Sequence, residues 1–284
     1  MLTTETFERK GNDSERAQIC SNKQQHGAEK ISQDFQYDRF FTEEDDQVTV
    51  FNAVVRPAID DIMEGYNATI LAYGQTSSGK TFTMQGGETN QRELDGIVPR
   101  AAAELFQRIH NGDAHVECDV KVSCIEIYME QVFDLLDSIH PQKSLRLRQD
   151  TQRNVFVKGM AKICIRSAQE FMEQVQQAIQ NRSVAVTRMN ARSSRSHIVV
   201  ILALEQRHVD SQVCKEGKLS LVDLAGSEIV RRTGAGGQQL EEAKTINKSL
   251  SALGMVITNL ASPNARHIPY CDSKLTRIVD PSRW

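Results

Sequence analysis

Residues 74–81 read GQTSSGKT, and this segment decides how the rest of the sequence is interpreted. It matches the pattern G-x-x-x-x-G-K-[ST], in which glycines let the backbone wind closely around phosphate groups. Lys80 places a cation on the β- and γ-phosphates, and Thr81 offers a hydroxyl to Mg²⁺. An apolar run at 68–73 precedes the loop and helix-compatible residues follow it, as such a loop requires. A glycine turn that binds no ligand is the alternative interpretation.

Two later segments provide what a phosphate-binding loop needs beside it, a metal-side carboxylate and a sensor of the terminal phosphate. Asp223 follows the apolar run 219–222, and Gly226 lies three residues later, where its amide can reach a γ-phosphate. Residues 190–197 read NARSSRSH, which we interpret as a loop that senses this phosphate and positions water. A polar surface loop is the alternative. A Ser-His hydrolase is disfavoured because adjacent residues on a strand face opposite sides.

Hydrophobic periodicity predicts helices and strands along the whole chain. Helical spacing covers residues 48–67, 97–109, 171–179 and 243–260. Strand patterns cover residues 68–73, 116–124, 197–204 and 218–222. Pro57 could kink or split the first helix, and residues 1–30 show no regular pattern. The order of elements predicts one α/β domain, with helices on both faces of a mixed central sheet.

Composition restricts the class of protein. The 284 residues are 39% hydrophobic and 25% charged, which is ordinary for a globular domain. The longest apolar run, 198–204, is far shorter than the roughly 20 residues that span a bilayer, and no secretory segment opens the chain. The six cysteines include no CxxC pair, which argues against zinc or thioredoxin-like chemistry. We therefore expect a soluble intracellular protein.

Charge is distributed unevenly, although the net charge of −3 does not suggest nucleic acid as a partner. Residues 1–50 contain six Lys/Arg and eleven Asp/Glu, a net charge of −5. Residues 229–278 contain seven Lys/Arg and three Asp/Glu, a net charge of +4. This basic region could meet an acidic partner, and the alternative is a solvated helix face.

The ordered set GQTSSGKT, NARSSRSH and DLAGSE (223–228) resembles the P-loop, switch I and switch II of the kinesin motor domain, a P-loop NTPase fold. Among kinesins, the sequence of these motifs most resembles conventional kinesin heavy chain. Three further segments resemble the family: EIYMEQVFDLL (126–136), EEAKTINKSLSALGMVITNLA (241–261) and HIPYCDSKLTRI (267–278). Met129 and Cys271 stand where the family usually has Asn and Arg. The resemblance covers residues 35–278.

The resemblance implies an ATPase that binds ATP and Mg²⁺. The residues implied to bind the nucleotide are Gly74, Gln75, Thr76, Ser77, Ser78, Gly79, Lys80, Thr81, Phe82 and Asn190, with Phe82 stacked on adenine. Those implied at the metal are Thr81, Ser193 and, through water, Asp223. Those implied in catalysis are Ser193, Ser194, Arg195, Gly226 and Glu228. An ion pair between Arg195 and Glu228 would form only when both switches close, and would order the attacking water.

The resemblance also implies that switch closure is coupled to microtubule binding and microtubule-based movement, and therefore a place on the cytoplasmic cytoskeleton. Tubulin is acidic, so basic residues after switch II become the expected contacts: Arg231, Arg232, Lys248, Lys274 and Arg277. We expect no nucleic acid and no membrane as partners. The oligomeric state is not encoded in this chain.

The sequence departs from the family at both ends. The R-x-R-P motif with which the family opens is not found, since Arg56 and Pro57 lie in a predicted helix. The match stops after residue 278. We expect one partial motor domain (1–284), with a divergent or irregular start (1–30), a core (31–278) and a divergent tail (279–284). Movement by this chain alone would then be weak or absent.

Two functions other than an ATP-driven motor are compatible with parts of the sequence. A non-motile module that binds microtubules or another kinesin, with weak or no ATPase, is the alternative that the divergent ends favour. A GTPase is disfavoured because the guanine-selecting pattern N-K-x-D is missing: Asn247 and Lys248 are followed by Ser249 and Leu250.

Overall fold

The computed structural model describes residues 5–9, 16–21, 32–87, 91–140, 143–151, 154–187, 192–228 and 238–280. The chain divides into two compact units, residues 1–50 and residues 51–284. None of the helices in these described ranges combines the length and the apolar character that crossing a bilayer requires.

The first unit contains a three-stranded antiparallel sheet in the order β1-β2-β3. Its strands are β1 (Glu5–Arg9), β2 (Arg16–Ser21) and β3 (Ser32–Gln36). Strands β1 and β2 lie in residues 1–30, for which the sequence predicts no regular structure. Strands this short carry little periodic signal of their own, and pairing with neighbouring strands decides whether they form.

The second unit is built on an eight-stranded sheet. Its strands are β4 (Asn67–Ala72), β5 (Val116–Tyr128), β6 (Gln131–Asp134), β7 (Ser144–Gln149), β8 (Val155–Lys158), β9 (Ile163–Ile165), β10 (His197–His208) and β11 (Cys214–Asp223). The order is β4-β11-β10-β5-β6-β7-β8, and β9 pairs with β5. Only the β4–β11 pair is parallel among these pairings of the described strands, so the predicted mixed sheet is confirmed.

Helices cover both faces of this sheet, as predicted. They are α1 (Gln47–Met63), α2 (Lys80–Gln85), α3 (Ile97–His110), α4 (Ala168–Thr187), α5 (Gln238–Leu260) and α6 (Lys274–Ile278). Pro57 lies inside α1 without dividing it. Because Val55 and Ile59 are fully buried on either side of Pro57, packing compensates for the hydrogen bond that proline removes.

The core consists of two apolar clusters, one on each face of the sheet. Strand β10 contributes to both, since its successive side chains point in opposite directions. Val200 and Leu202 join the cluster formed with α1, α2, α3 and α4. Val199 and Ile201 join the cluster formed with α5 and α6. The sheet is therefore the middle layer of a three-layer α/β unit.

The parallel pair β4–β11 determines where a ligand site can form. In its register Asp223 lies opposite Ala72, so the carboxyl ends of both strands meet at one edge of the sheet. The loop 74–79 leaves β4 at this edge and leads into α2, and residues 224–228 leave β11 beside it. Ligands of α/β proteins bind at such strand ends.

Candidate functional site

The loop between β4 and α2 closes around the ammonium group of Lys80. The Nζ of Lys80 donates to the carbonyl oxygens of Gly74 (2.9 Å) and Gln75 (2.8 Å). Two left-handed residues create the curvature, Ser77 with φ 64° and Gly79 with φ 91°. Gly79 is also the N-cap of α2, so the helix begins where the predicted phosphate-binding segment ends. The ammonium group of Lys80 is thus held among the backbone groups of the loop.

The side chain of Phe82 lies on the first turn of α2, and 48% of it is exposed. An apolar ring that is half in solvent beside a phosphate-binding loop leaves a face on which a nucleobase could stack. Its predicted contact with adenine stays a prediction.

The two residues predicted to lie at the metal, Thr81 of α2 and Asp223 at the end of β11, are in contact. The Thr81 hydroxyl donates to Asp223 Oδ2 at 2.7 Å. The other carboxylate oxygen of Asp223 is buried, and it finds no hydrogen-bond partner within the described residues. Leaving such an oxygen unsatisfied is costly. A hydroxyl and a carboxylate with a free buried oxygen fit Mg²⁺, which prefers oxygen ligands and keeps several of its waters.

Switch I and switch II meet directly beside the loop. The Gly226 amide donates to the carbonyl oxygen of Ser194 at 3.0 Å, and the Ser227 amide donates to the carbonyl oxygen of Gly74 at 3.1 Å. A Cβ on Gly226 would collide with the Thr76 hydroxyl and the Glu228 carboxylate. The three predicted segments therefore converge in one place, and they meet closely enough that a larger residue at 226 would displace the Thr76 and Glu228 side chains.

The Glu228 carboxylate lies against the phosphate-binding loop. It accepts hydrogen bonds from the Thr76 amide (2.9 Å) and from the Thr76 hydroxyl (2.6 Å). Burial raises the pKa of Glu228, but these bonds together with the charge of Lys80 outweigh it and lower the pKa below its usual range. An anionic side chain is therefore held by groups that the sequence predicts to bind phosphate.

The predicted ion pair between Arg195 and Glu228 is not formed in this structure. Arg195 pairs instead with Glu242 of α5. Only 6% of Glu242 is exposed, so its carboxylate needs a cation and hydrogen-bond donors close by. The Tyr128 hydroxyl at the end of β5 supplies a second donor at 2.8 Å. The arginine of switch I is thus attached to α5 while Glu228 is attached to the loop.

Sequence reasoning missed Tyr128 and Glu242 as parts of this arrangement. A signal for Glu242 exists: it lies four residues before Ile246 and eight before Leu250, in phase with the apolar stripe of α5. A charged residue on the core-facing side of a helix indicates a buried polar partner. Tyr128 has no comparable signal, because its partner is 114 residues away in sequence.

The basic candidates for microtubule contact lie on α5 and α6 as far as the structure describes them. Lys248 of α5 is exposed, whereas Lys274 and Arg277 of α6 are half-buried. Helices α5 and α6 pack against each other, which places these cations on neighbouring elements. Three predicted residues lie outside the described ranges: Asn190, Arg231 and Arg232. Ser193 lies in the turn Arg192–Arg195, and its side chain is likewise outside what the structure describes.

Comparison with known proteins finds the same architecture and the same sequence family. The family model of the kinesin motor domain matches residues 3–282, a wider range than the motifs cover. A solved structure of a fast kinesin superposes with a TM-score of 0.85 at 41% identity, covering 97% of this chain and 75% of that one.

Relatives at similar identity come from distant organisms. Kinesin heavy chain of Syncephalastrum racemosum is 47% identical over 248 residues, which are 87% of this chain and 26% of that protein. Kinesin heavy chain isoform 5C of Rattus norvegicus is 46% identical over 246 residues, 87% of this chain and 25% of that protein. The chain thus spans about a quarter of the length of these relatives. It belongs to the kinesin motor domain family.

Proposed function

We propose that this chain is an ATP-dependent microtubule motor domain, which hydrolyses ATP with Mg²⁺ and couples closure of its switches to microtubule binding and movement. The observation that carries the proposal is the convergence of the loop around Lys80, the Thr81–Asp223 pair and the Gly226–Ser194 contact at one edge of the sheet. Relatives named as kinesin heavy chains and a fast kinesin whose structure bears on ATPase mechanism and microtubule interactions support it.

The loop 74–81 would hold the phosphates of ATP. Lys80 would exchange the carbonyl oxygens of Gly74 and Gln75 for phosphate oxygens, which are stronger acceptors for an ammonium group. The Thr76 amide would become available to a phosphate once Glu228 leaves it. Phe82 would supply a stacking surface for adenine, and Asn190 and Ser194 would close over the terminal phosphate.

Thr81 and Asp223 would hold Mg²⁺, Thr81 directly and Asp223 through a bound water, with Ser193 as a further ligand. Bound there, the metal would neutralise charge that develops on the phosphates. The Asp223 oxygen that is buried without a partner among the described residues would accept from that water. Both residues lie on rigid elements, the first turn of α2 and the end of β11, so the position of the metal would be set in advance.

Hydrolysis would depend on positioning and on stabilisation of charge, since phosphoryl transfer requires little covalent chemistry from the protein. Arg195 and Glu228 each have another partner in this structure, Glu242 and Thr76. ATP would displace Glu228 from Thr76, and the freed carboxylate would attract Arg195 away from Glu242. The new pair would close the switches and order the water that attacks the γ-phosphorus. Catalysis would thus be conditional on a conformational state.

The basic face would dock on microtubules through charge complementarity. Lys248, Lys274 and Arg277 contribute to it, together with Arg231 and Arg232. Hairpin β7–β8 packs against α6 and adds exposed cations to the same part of the unit: Arg146, Arg148 and Lys158. The proposed partner would place the protein on the microtubule cytoskeleton of the cytoplasm. Nothing in the described residues favours a non-motile binding module, and the similar proteins do not favour one either.

The test is ATP turnover by the purified chain with and without microtubules. We expect slow basal hydrolysis that depends on Mg²⁺ and rises at least about tenfold when microtubules are added. Lys80→Ala should abolish turnover, because the cation on the phosphates is lost. Lys215→Ala is the matched control, since it removes an exposed lysine on β11 outside the proposed site. Turnover of GTP in preference to ATP, or turnover that Lys80→Ala leaves intact, would refute the proposal.

A further inference from the structure

His197 is the last residue of the NARSSRSH segment and the first residue of β10. The proposed function gives it no role. Its side chain is 3% exposed and lies between two functional segments, switch II at Ala225 and helix α5 at Ser249. Because buried polar groups need hydrogen-bond partners, the partners of this ring indicate what it does between the two segments.

The hydrogen bonds of the ring define its tautomer. The Ala225 amide donates to Nδ1 at 2.9 Å, so Nδ1 carries no proton. A neutral imidazole then carries its proton on Nε2, and Nε2 donates to the Ser249 hydroxyl oxygen at 2.9 Å. The Ser249 hydroxyl in turn donates to the carbonyl oxygen of Ile246 at 2.7 Å. A continuous chain of hydrogen bonds therefore runs from switch II to the backbone of α5.

The surroundings of the ring keep it in this neutral tautomer. Burial lowers the pKa of His197 to about 4, with a further contribution from the positive charge of Arg182, so the ring is neutral at physiological pH. Arg182 also donates to the hydroxyl of Ser196, the residue before His197, at 2.9 Å. The ring is attached to a strand in the centre of the sheet, and its neighbour is held by α4. The ring therefore bridges switch II and α5 from the first residue of a central strand.

We infer that His197 is a positioning residue that couples the Leu224–Ala225 peptide of switch II to helix α5 through Ser249. The inference rests on the proposed function for the meaning of the two segments, a phosphate sensor and a microtubule-facing helix. Breaking either bond would leave a buried polar group without a partner, and this raises the free energy of the folded protein. A shift of the Ala225 amide, which precedes Gly226, is therefore transmitted through the ring to Ser249.

Hydrogen exchange tests this link without requiring ATP or microtubules. Three variants cut the chain at different bonds. His197→Ala removes both bonds, Ser249→Ala removes the bond to α5, and His197→Asn keeps an oxygen near the position of Nδ1 but cannot reach Ser249. Ser183→Ala is the matched control, because Ser183 also donates to a carbonyl within its own helix, that of Ile179 in α4.

Exchange of the amides in residues 224–226 is the primary readout. We expect His197→Ala to accelerate it about tenfold, and Ser249→Ala to accelerate it about threefold although Ser249 does not touch these amides. His197→Asn should keep the Ala225 amide protected while amides of α5 around Ser249 exchange faster. If Ser249→Ala changes residues 224–226 no more than Ser183→Ala does, the link does not exist.

A second arm measures ATP turnover with and without microtubules. Ser249→Ala should leave basal turnover within about twofold of the unsubstituted chain and reduce the microtubule-induced acceleration at least about fivefold. An equal loss of basal and accelerated turnover, in step with a lower melting temperature, would mean a purely structural role and overturn the inference. If the unsubstituted chain shows no microtubule acceleration at all, the proposed function fails, while the exchange arm still decides whether His197 couples the two segments.

Discussion

At the scale of single residues, the site contains side chains in close contact and polar groups whose hydrogen bonds are made within the protein. Gly226 is the clearest case, because a methyl group there would meet the Thr76 hydroxyl and the Glu228 carboxylate. His197 is a second case, since both ring nitrogens are engaged inside the protein. Substitution of Gly226 tests whether the site has room for a side chain. Substitution of His197 tests whether the fold keeps the ring unprotonated.

We predict that Gly226→Ala reduces ATP turnover at least about 100-fold, comparable to the loss of one hydrogen-bond donor to a transition state. The added methyl group would occupy the space between Gly226 and the Thr76 hydroxyl of the loop, so the Gly226 amide would be held further from the terminal phosphate. Steady-state ATPase assays measure the effect. Gly254→Ala on α5 is the control: it enters open space and should raise stability by about 0.5–1 kcal/mol through helix propensity. Turnover that survives Gly226→Ala would contradict the proposed geometry.

We predict that the free energy of unfolding falls as the pH decreases from 6.5 towards 4. The pKa of His197 is lowered from 6.5 to about 4 by burial, so in this range the unfolded chain binds a proton there that the folded chain does not. Between pH 7 and pH 5 this residue should contribute a loss of about 2 kcal/mol.

Urea denaturation at the two pH values measures this loss. Asparagine does not titrate, so His197→Asn should lose correspondingly less stability over the same interval. If the substituted and unsubstituted proteins lose the same amount of stability, the ring is not held neutral by the fold.

At the scale of elements, the hairpin between β5 and β6 contains a local conflict. Its two connecting residues, Met129 and Glu130, have positive φ values of 48° and 55°. Two-residue loops of this kind are type I′ turns, which favour Asn or Gly because side chains with a bulky Cβ substituent are strained in the left-handed region. The Asn that the kinesin family usually has in place of Met129 fits this requirement directly.

We therefore predict that Met129→Asn stabilises the protein by about 0.5–1 kcal/mol. The Asn side chain tolerates the left-handed conformation, so strain is removed without any new contact to the core. The midpoint of chemical denaturation measures the gain. Met129→Ala is the control, since alanine removes the same bulk without favouring positive φ. A midpoint that rises equally in both variants would assign the effect to side-chain bulk instead.

At the scale of the whole molecule, charge is segregated along the chain, and we propose that the cations on α5 and α6 contact the microtubule. We predict that Lys248→Glu weakens microtubule binding about tenfold at low salt, because one positive charge becomes a negative charge near an acidic surface. The difference should shrink as ionic strength rises and screening increases. Co-sedimentation at several salt concentrations measures it.

Lys215→Glu is the control for this charge change, because Lys215 lies near the start of β11, at the end of the strand opposite to Asp223. It makes the same change in net charge on an exposed residue outside the proposed docking face. Equal weakening by both variants would mean that total charge, rather than the α5–α6 face, controls the interaction.

The amino-acid sequence by itself determined the layered α/β fold and the phosphate-binding loop. Both depend on local signals. The period of the apolar residues distinguishes helix from strand, and GQTSSGKT contains the glycine (Gly79) that adopts a left-handed conformation where the loop turns into α2. The order of motifs likewise identified Asp223, Gly226 and Ser194 as neighbours of that loop. Asp223 and Gly226 lie beside the loop because β11 is parallel to β4, and Ser194 lies there because the antiparallel β10 begins at the same edge.

Only the tertiary structure decided which partner each charged side chain has. The sequence leads us to expect that Arg195 and Glu228 pair once both switches close, and in this structure Glu228 contacts Thr76 while Arg195 contacts Glu242. The bonds of His197 to Ala225 and Ser249 were equally invisible. Such pairings depend on distances between elements that meet only after the sheet has formed, and a buried carboxylate or ring takes whichever donor the packing brings to it.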